Sequence, residues 1–487
     1  MEMRNFDHDT LIIGAGMSGI GAAIRLAMFE KDVLVVEKHT IAGGLNSFYA
    51  QKGHLLDVGL HALTNFARKG ERNRPLTKIL KQLRIKYADL KLDEQSFSKI
   101  SYPNKELIFT NNIEKLKSDI ANSFPGEEES LQNFLNFLES FNETSLDLKY
   151  ESAREKLSTF FSNEELIDML ICPLLIYGSA WERDMDFAQF VIMFKALYVE
   201  GFSRPRGGVR TIIRLLLKKY KELGGKIKYR QQVTSLKNID NGVLATFADG
   251  TELFVRQVIS SIGGPETYRI CQDEQISAKE PRAGRMTFTE SILFFDKKPF
   301  DVGIDETIVF YNENERYQYR EPEELYDAKS AVICFPNNFH KSHPEEFDHG
   351  IIRLTFMANY QKWKELKQNN PEEYLSQKEN VLQSSLELIK KNYPQFEGEL
   401  IFHDVFTPTT IEHYTGHING CVYGSTEKLR NGKTAFDNIY ICGTDQGFLG
   451  IVGALLSGIS IANLYGLQPT TEQPTNTENN SVMESQL

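Results

Sequence analysis

Asp9-Thr-Leu-Ile-Ile-Gly14-Ala-Gly16-Met17-Ser18-Gly19-Ile-Gly21, with Val33-Leu-Val-Val-Glu37 after it, decides the fold. The order is an apolar strand, a three-glycine turn, a helix start and a second strand ending in an acid. Each glycine has its own task. Gly14 permits the tight turn, Gly16 lets the backbone approach a pyrophosphate, and Gly19 lets helix and strand pack closely. The helix start at Met17 and Ser18 turns free N–H groups and a partial positive charge toward the phosphates. Glu37 follows Gly14 at roughly the 20-residue spacing at which a carboxylate grips a ribose hydroxyl. The stretch therefore predicts a dinucleotide site on a Rossmann-type α/β unit.

Downstream of Glu37 and Lys38 stand Gly43-Gly44-Leu45. Two adjacent glycines suit an ordinary turn, and equally a backbone passing under a bulky ligand. Their position just after the acid favours FAD over a nicotinamide cofactor, because the isoalloxazine end needs a second backbone platform.

Glu37-Lys-His-Thr-Ile-Ala-Gly-Gly44, followed by Leu56-Asp57-Val-Gly59-Leu-His61, resembles the start of the phytoene desaturase, carotenoid isomerase and retinol saturase group, within the wider amine-oxidase-like FAD enzymes. Further segments match in order. Arg204-Pro-Arg-Gly207-Gly208 is similar to the group's mid-chain PxGG segment. Val258-Ile-Ser-Ser-Ile-Gly263-Gly-Pro-Glu-Thr-Tyr268 is similar to its VxSNAGxxxTY strand. Asn438-Ile-Tyr-Ile-Cys-Gly443-Thr-Asp445-Gln-Gly-Phe-Leu-Gly450-Ile451-Val452-Gly453 resembles its C-terminal flavin segment, nearest the retinol saturase version. The resemblance spans most of residues 1–467. Two departures stand out: Leu45 replaces the basic residue usual after the double glycine, and Ser260-Ser-Ile-Gly263 lacks the Asn-Ala pair.

The resemblance implies a Rossmann-type FAD-binding domain of the glutathione-reductase-2 kind, interleaved with a mixed-sheet and helical (α+β) substrate domain. Around FAD it places Gly14, Gly16, Met17, Ser18, Gly19, Glu37 and Lys38, then Gly43, Gly44, Leu45, Gly59 and His61. It adds main-chain groups of Val233 at the adenine, Gly443 and Asp445 at the ribityl chain, Gly450, Val452 and Gly453 at the pyrimidine edge, and Ile451 beside the cofactor. An N-cap role for Asp445 is the plainer alternative. The implied activity is an FAD-dependent oxidoreductase on carbon–carbon bonds of a hydrophobic isoprenoid polyene, with hydride passing to or from flavin N5. Desaturation, saturation and isomerisation stay open, as does the electron partner (oxygen, quinone or nicotinamide). Two other readings stand beside it: an amine or porphyrinogen oxidase-like flavoenzyme, and a non-enzymatic escort of prenylated proteins, against which the intact glycines argue.

Composition sets outer bounds. The 487 residues are 41% apolar, enough for a large core. A net charge of −11 speaks against a nucleic-acid partner. Five dispersed cysteines without a CxxC pair predict reduced buried thiols, no metal site and a cytoplasmic setting, with a peripheral contact on the inner face of a membrane as an option. The N-terminus is polar and shows no signal peptide. Gly447–Leu467 carries no charge, yet its Gly, Ser and Ala content and its glycine turn predict a buried helix under the flavin and not a membrane span.

Along the chain the expected segments are flavin domain at 1–110, a helical substrate or membrane-facing part at 111–204, flavin domain at 205–265, substrate domain at 266–404, flavin domain at 405–467 and a disordered tail at 468–487. Helical periodicity marks Leu131, Phe134, Leu135 and Leu138, and Pro173 is expected to bend or end its helix. Val209–Leu223 and Pro371–Tyr393 read as helices, and Val243–Val255 as a hairpin turning at Asp249-Gly250. The apolar face of Phe187, Phe190, Val191, Phe194, Leu197 and Tyr198 suits a core helix, a polyene tunnel or a membrane rest. Arg210, Arg214 and Lys218 suit a solvated face or lipid headgroups. His61 is the candidate catalytic residue, able to position substrate or move a proton. His340, His343, His349, His413 and His417 have no completing ligand set and read as surface or loop histidines.

Overall fold

The computed structural model describes residues 5–59, 61–145, 147–272 and 280–468. The predicted tail, apart from Gln468, lies outside the described residues.

Two seven-stranded sheets organise the molecule. The first runs Val233–Ile239, Gly242–Phe247, Glu252–Ser260, His8–Ile13, Val33–Glu37, Lys226–Tyr229, with Ile439–Ile441 also beside Glu252–Ser260. Glu252–Ser260 joins two styles of pairing in one strand. Its first half is antiparallel to Gly242–Phe247, and its second half is parallel to His8–Ile13 and Ile439–Ile441. The central parallel strands are covered on both faces, which is why Leu11–Ile13 and Leu34–Val36 are unbroken apolar runs. One face packs helices Met17–Ala27, Val209–Glu222 and Gly450–Ile461; the other packs Val233, Tyr268 and Phe436.

The second sheet runs Leu400–Phe406, Phe288–Phe295, Gly350–Met357, Ser330–Cys334, Ile308–Asn312, Ser98–Ser101, Glu106–Phe109. Helix Pro371–Asn392 covers one face, and the helices between 113 and 194 cover the other. This corrects two expected boundaries. Ser98–Ser101 and Glu106–Phe109, assigned to the first flavin segment, pair in the substrate sheet because Ser98–Ser101 lies parallel to Ile308–Asn312. Leu400–Phe406 likewise stays in that sheet through its pairing with Phe288–Phe295, past the expected break at 404.

Pro173 sits inside helix Glu164–Gly178 without ending it. Helix Phe187–Phe194 runs on into a wider π-type turn at Lys195–Glu200. Phe187, Phe190, Phe194, Leu197 and Tyr198 are all buried in one aromatic core with Phe134 and Phe109, so this face is core and lines neither a tunnel nor a membrane surface. The uncharged C-terminal stretch is helix Gly450–Ile461, packed against Met17–Ala27 so closely that a side chain at Gly458 would strike the Ser18 carbonyl. No helix among the described residues is long and apolar enough to cross a membrane.

Candidate active site

A cavity of about 260 Å³ opens where the two sheets meet. Gly16, Met17 and Ser18 line it from the first turn, Gly43, Gly44 and Leu45 from the second platform, Gly59 and His61 from the following loop, and Gly443, Asp445, Gly450 and Ile451 from the C-terminal turn and helix. Segments hundreds of residues apart in the chain thus converge on one space.

The other expected site residues stand behind or beside this wall. Gly14 takes a φ of +93°, and a side chain at Gly19 would collide with the Gly14 carbonyl, so these two shape the turn without lining the cavity. Glu37 is buried. Its Oε2 accepts from the Ala15 N–H at 2.8 Å and its Oε1 from the His39 N–H at 2.8 Å. A carboxylate has about four acceptor sites, so it keeps capacity for a ribose hydroxyl. Lys38 is exposed along its stem, but its ammonium reaches in beside Gly416, where partial burial lowers its pKa and Glu37, Glu266 and Glu412 counter the shift. The side chains of Val233 and Val452 belong to the cores on opposite faces of the first sheet.

The residues fit FAD. Helix Met17–Ala27 starts at Gly16 with no side-chain cap, and helix Gly450–Ile461 starts at Leu449 with none. Both first turns border the same cavity, and a Cβ on Gly16 would meet no protein atom within 4 Å. Uncapped N–H groups beside open space form an anion cradle. Asp445 accepts from the Gly264 N–H at 2.6 Å and the Ser425 N–H at 2.7 Å, with Lys428 Nζ at 3.5 Å. Burial lowers the Lys428 pKa and Asp445 opposes the change. Asp445 lies in the turn Thr444–Gln446, several residues before the helix, so it is not the N-cap.

The same cavity is also lined by the apolar Ile176, Phe288, Val332 and Val422, with a polar cluster beside them. His61 Nε2 lies 3.3 Å from Glu290 Oε1 and 3.2 Å from Thr355 Oγ1. Glu290 pairs with Arg353 at 2.5 Å, and Arg353 also donates to the Val58 carbonyl. Burial holds the His61 pKa below its ordinary value. Glu290 opposes that shift, while Arg353 and Arg204 reinforce it, so the imidazole is neutral at pH 7. Burial alone would raise Glu290, but Arg353 and His61 outweigh it and keep the carboxylate ionised. Tyr177 and Tyr423 complete the wall. The Tyr423 hydroxyl donates to the Ile176 carbonyl, whereas the Tyr177 hydroxyl is buried without a partner among the described residues.

Glu290, Thr355, Arg353 and Tyr177 escaped the sequence reading. A signal existed: Glu290 and Arg353 are charges inside apolar strand-like runs, where burial demands a partner. His417, expected at the surface or in a loop, stands in the loop before Ile418–Gly420 and lines the cavity 3.5 Å from Glu266, which raises its pKa against the opposing effect of burial. His340, also expected at the surface or in a loop, follows the short helix Pro336–Phe339 and is buried with Nδ1 2.6 Å from Asp93. No cluster suited to a metal ion occurs among the described residues. Behind the polar cluster lies a second cavity of about 360 Å³, bordered by Arg204, Arg210 and Arg353. Arg204 bridges the Asp57 carboxylate at 2.7 Å and the His61 carbonyl at 2.9 Å, so it forms the partition between the two cavities.

A family model described as flavin containing amine oxidoreductase matches residues 17–464. Among curated proteins, the chain is 24% identical to a prolycopene isomerase of Arabidopsis thaliana, covering 94% of this chain and 82% of the relative. It is 21% identical to an all-trans-retinol 13,14-reductase of Danio rerio, covering 94% and 86%. Among solved structures, an oxidoreductase from Methanosarcina mazei superposes with a TM-score of 0.65 at 16% identity, over 93% of this chain and 100% of the other.

Proposed function

Because the chain belongs to the flavin containing amine oxidoreductases and is an FAD-dependent oxidoreductase, we propose that it acts on carbon–carbon bonds of an isoprenoid polyene of the carotenoid or retinoid class. The observation that carries this reading is the apolar lining of Ile176, Phe288, Val332 and Val422 in the same cavity as the two uncapped helix N-termini. It is supported by relatives named for a prolycopene and a retinol reaction.

FAD, when bound, supplies the hydride acceptor or donor of the reaction. The chain's part is to bind, orient and polarise. The Gly16–Ser18 turn holds the pyrophosphate, Glu37 the adenine-side ribose, with Lys38 at its rim, and main-chain groups near Val233 the adenine. Gly43, Gly44, Leu45 and Gly59 form the platform for the ring, and Asp445, with Gly443, receives the ribityl hydroxyls. N–H groups at Gly450, Ile451 and Val452 stabilise negative charge at the pyrimidine edge. His61, kept neutral, orients the substrate and moves the proton that accompanies hydride transfer. So apolar a substrate partitions into lipid, and we place the protein in the cytoplasm in peripheral contact with the inner membrane face.

The test is an absorbance titration of purified FAD-loaded protein, anaerobically, with dispersed carotenoids and retinoids against oxidised and photoreduced flavin. A polyene that bleaches the oxidised flavin or restores the reduced one supports the reading. Flavin that responds only to an amine or a porphyrinogen overturns it in favour of an oxidase of those substrates.

A further inference from the structure

His417 lines the main cavity but belongs to none of its glycine turns. It enters from the loop between helix Pro408–Thr415 and the turn Ile418–Gly420. Its Nδ1 is buried 3.5 Å from Glu266 Oε1, an ion-pair distance without hydrogen-bond geometry. That Glu266 oxygen is held independently, because it accepts from the Ile418 N–H at 2.8 Å. A histidine present only to pin the loop would bond the carboxylate squarely, since a buried polar atom left unbonded is costly. The loop is already pinned without it. Charged neighbours fix where the ring stands along the cavity. They are Glu266 from helix Gly264–Ile270, Asp445 from the turn Thr444–Gln446 with Lys428 paired to it, and Lys38 just after strand Val33–Glu37. Lys38 Nζ comes so near that a Cβ on Gly416 would lie 2.5 Å from it.

In FAD the diphosphate joins the adenosine to the ribityl chain. With the adenine-side ribose at Glu37 and the ribityl chain at Asp445, a group flanked by Lys38 and Asp445 stands beside the diphosphate. Resting on that cofactor placement and independent of the polyene, we propose that His417 is a cationic clamp on the FAD diphosphate, donating to it as an imidazolium that Glu266 stabilises from behind. The turn Gly16–Ser18 offers the diphosphate backbone N–H groups and a partial charge, and His417 adds a full charge from the C-terminal part of the chain. An unprotonated ring would leave Glu266 and the diphosphate as like charges across the cavity wall. Glu266 is the positioning residue. In the empty site it already holds the His417 pKa above its ordinary value, with Asp445 assisting and with burial and Lys38 opposing. The negative diphosphate raises it further. FAD binding is thereby linked to proton uptake. Affinity is full below the empty-site pKa and falls as pH rises through the FAD-bound one.

The experiment is a calorimetric titration of FAD into the full chain stripped of flavin, in buffers of different ionisation enthalpy, from about pH 6 to about pH 9. FAD should bind about tenfold more tightly at the acid end, with net proton uptake in between. His417→Gln should weaken FAD about tenfold at the acid end, abolish the uptake and leave the affinity level across the range. His417→Arg should bind tightly at both ends, because a guanidinium does not titrate there. Thermal midpoints of the flavin-free variants separate a lost ligand from a lost fold. Should His417→Gln fail to fold, the wild-type uptake and His417→Arg carry the test. Wild-type affinity indifferent to pH, uptake that survives His417→Gln, or a His417→Arg affinity that falls with pH as the wild type does overturns the clamp and leaves the cofactor placement standing. Wild-type protein that binds no FAD at any pH overturns the placement and the clamp together.

Discussion

Gly16 and Gly19 stand about one helical turn apart, yet an added methyl group means different things at each. At Gly19 it would meet the Gly14 carbonyl, so Gly19→Ala should destabilise the fold by about 1–3 kcal/mol, as overpacking does, seen as a lower unfolding midpoint with or without flavin. At Gly16 it would meet no protein atom. Gly16→Ala should therefore keep the apoprotein's midpoint and weaken FAD by about tenfold, on the order of 1.4 kcal/mol, read by flavin fluorescence quenching. The close packing at Gly19 was legible from spacing alone, because a close approach leaves glycine little substitute. Glu200 was not legible. It sits at the end of the π-type turn, accepts from Asn65 Nδ2 at 2.8 Å, and lies 3.9 Å from Arg74. Burial raises its pKa to about 7, with Asn65, Arg74 and Lys195 working downward and Glu71 upward. The unfolded carboxyl titrates near 4.5, so the folded state binds the extra proton between those values. Its contribution is complete below pH 4.5 and is lost as pH rises through about 7. Glu200→Gln should flatten that decline and stabilise the protein at pH 8 by up to about 3 kcal/mol, measured as denaturant midpoints across the pH range.

Among the elements, the turn between strand Ile439–Ile441 and helix Gly450–Ile461 carries Asp445, which meets Lys428 from an earlier segment as a buried ion pair. Asp445 and Lys428 are 2% and 3% exposed. Removing one partner strands the other. Asp445→Asn should cost about 3–5 kcal/mol, and adding Lys428→Met should recover most of that loss in a double-mutant cycle followed by thermal unfolding. The strand, turn and helix were readable from Ile439-Tyr-Ile-Cys and the glycines that follow. Lys428 was hidden because it comes from an irregular segment with no periodicity to place it. The same holds for Glu290 and Arg353. The strands were visible, but their meeting depends on the antiparallel register that sets Glu290 opposite Thr355 and Ile292 opposite Arg353. Register between distant strands leaves no local trace.

For the whole molecule, the cavity lies between two sheets that each contain distant parts of the chain, so ligand and fold are thermodynamically linked. FAD at a hundred times its dissociation constant should raise stability by about 2.7 kcal/mol, visible as a concentration-dependent rise in the unfolding midpoint; a midpoint indifferent to FAD would contradict a site built across both sheets. The alternation of the chain between the two sheets was legible, since strands Glu252–Ser260 and Ile439–Ile441 are each followed by a glycine signature. Its boundaries were not, because the parallel pairing of Ile308–Asn312 with Ser98–Ser101 joins segments that nothing in either sequence associates.

Strand Ile439–Ile441 adds beside Glu252–Ser260, and the helix after it closes onto Met17–Ala27. During synthesis the Gly14–Glu37 unit leaves the ribosome long before that closing piece exists. At about 5–20 residues per second the wait is on the order of 20–80 s. Cofactor capture is thereby deferred to a completed polypeptide. Flavin-starved cells should accumulate full-length, colourless protein that turns yellow when FAD is added to the lysate, and pulse labelling should find no nascent chain that already holds the cofactor.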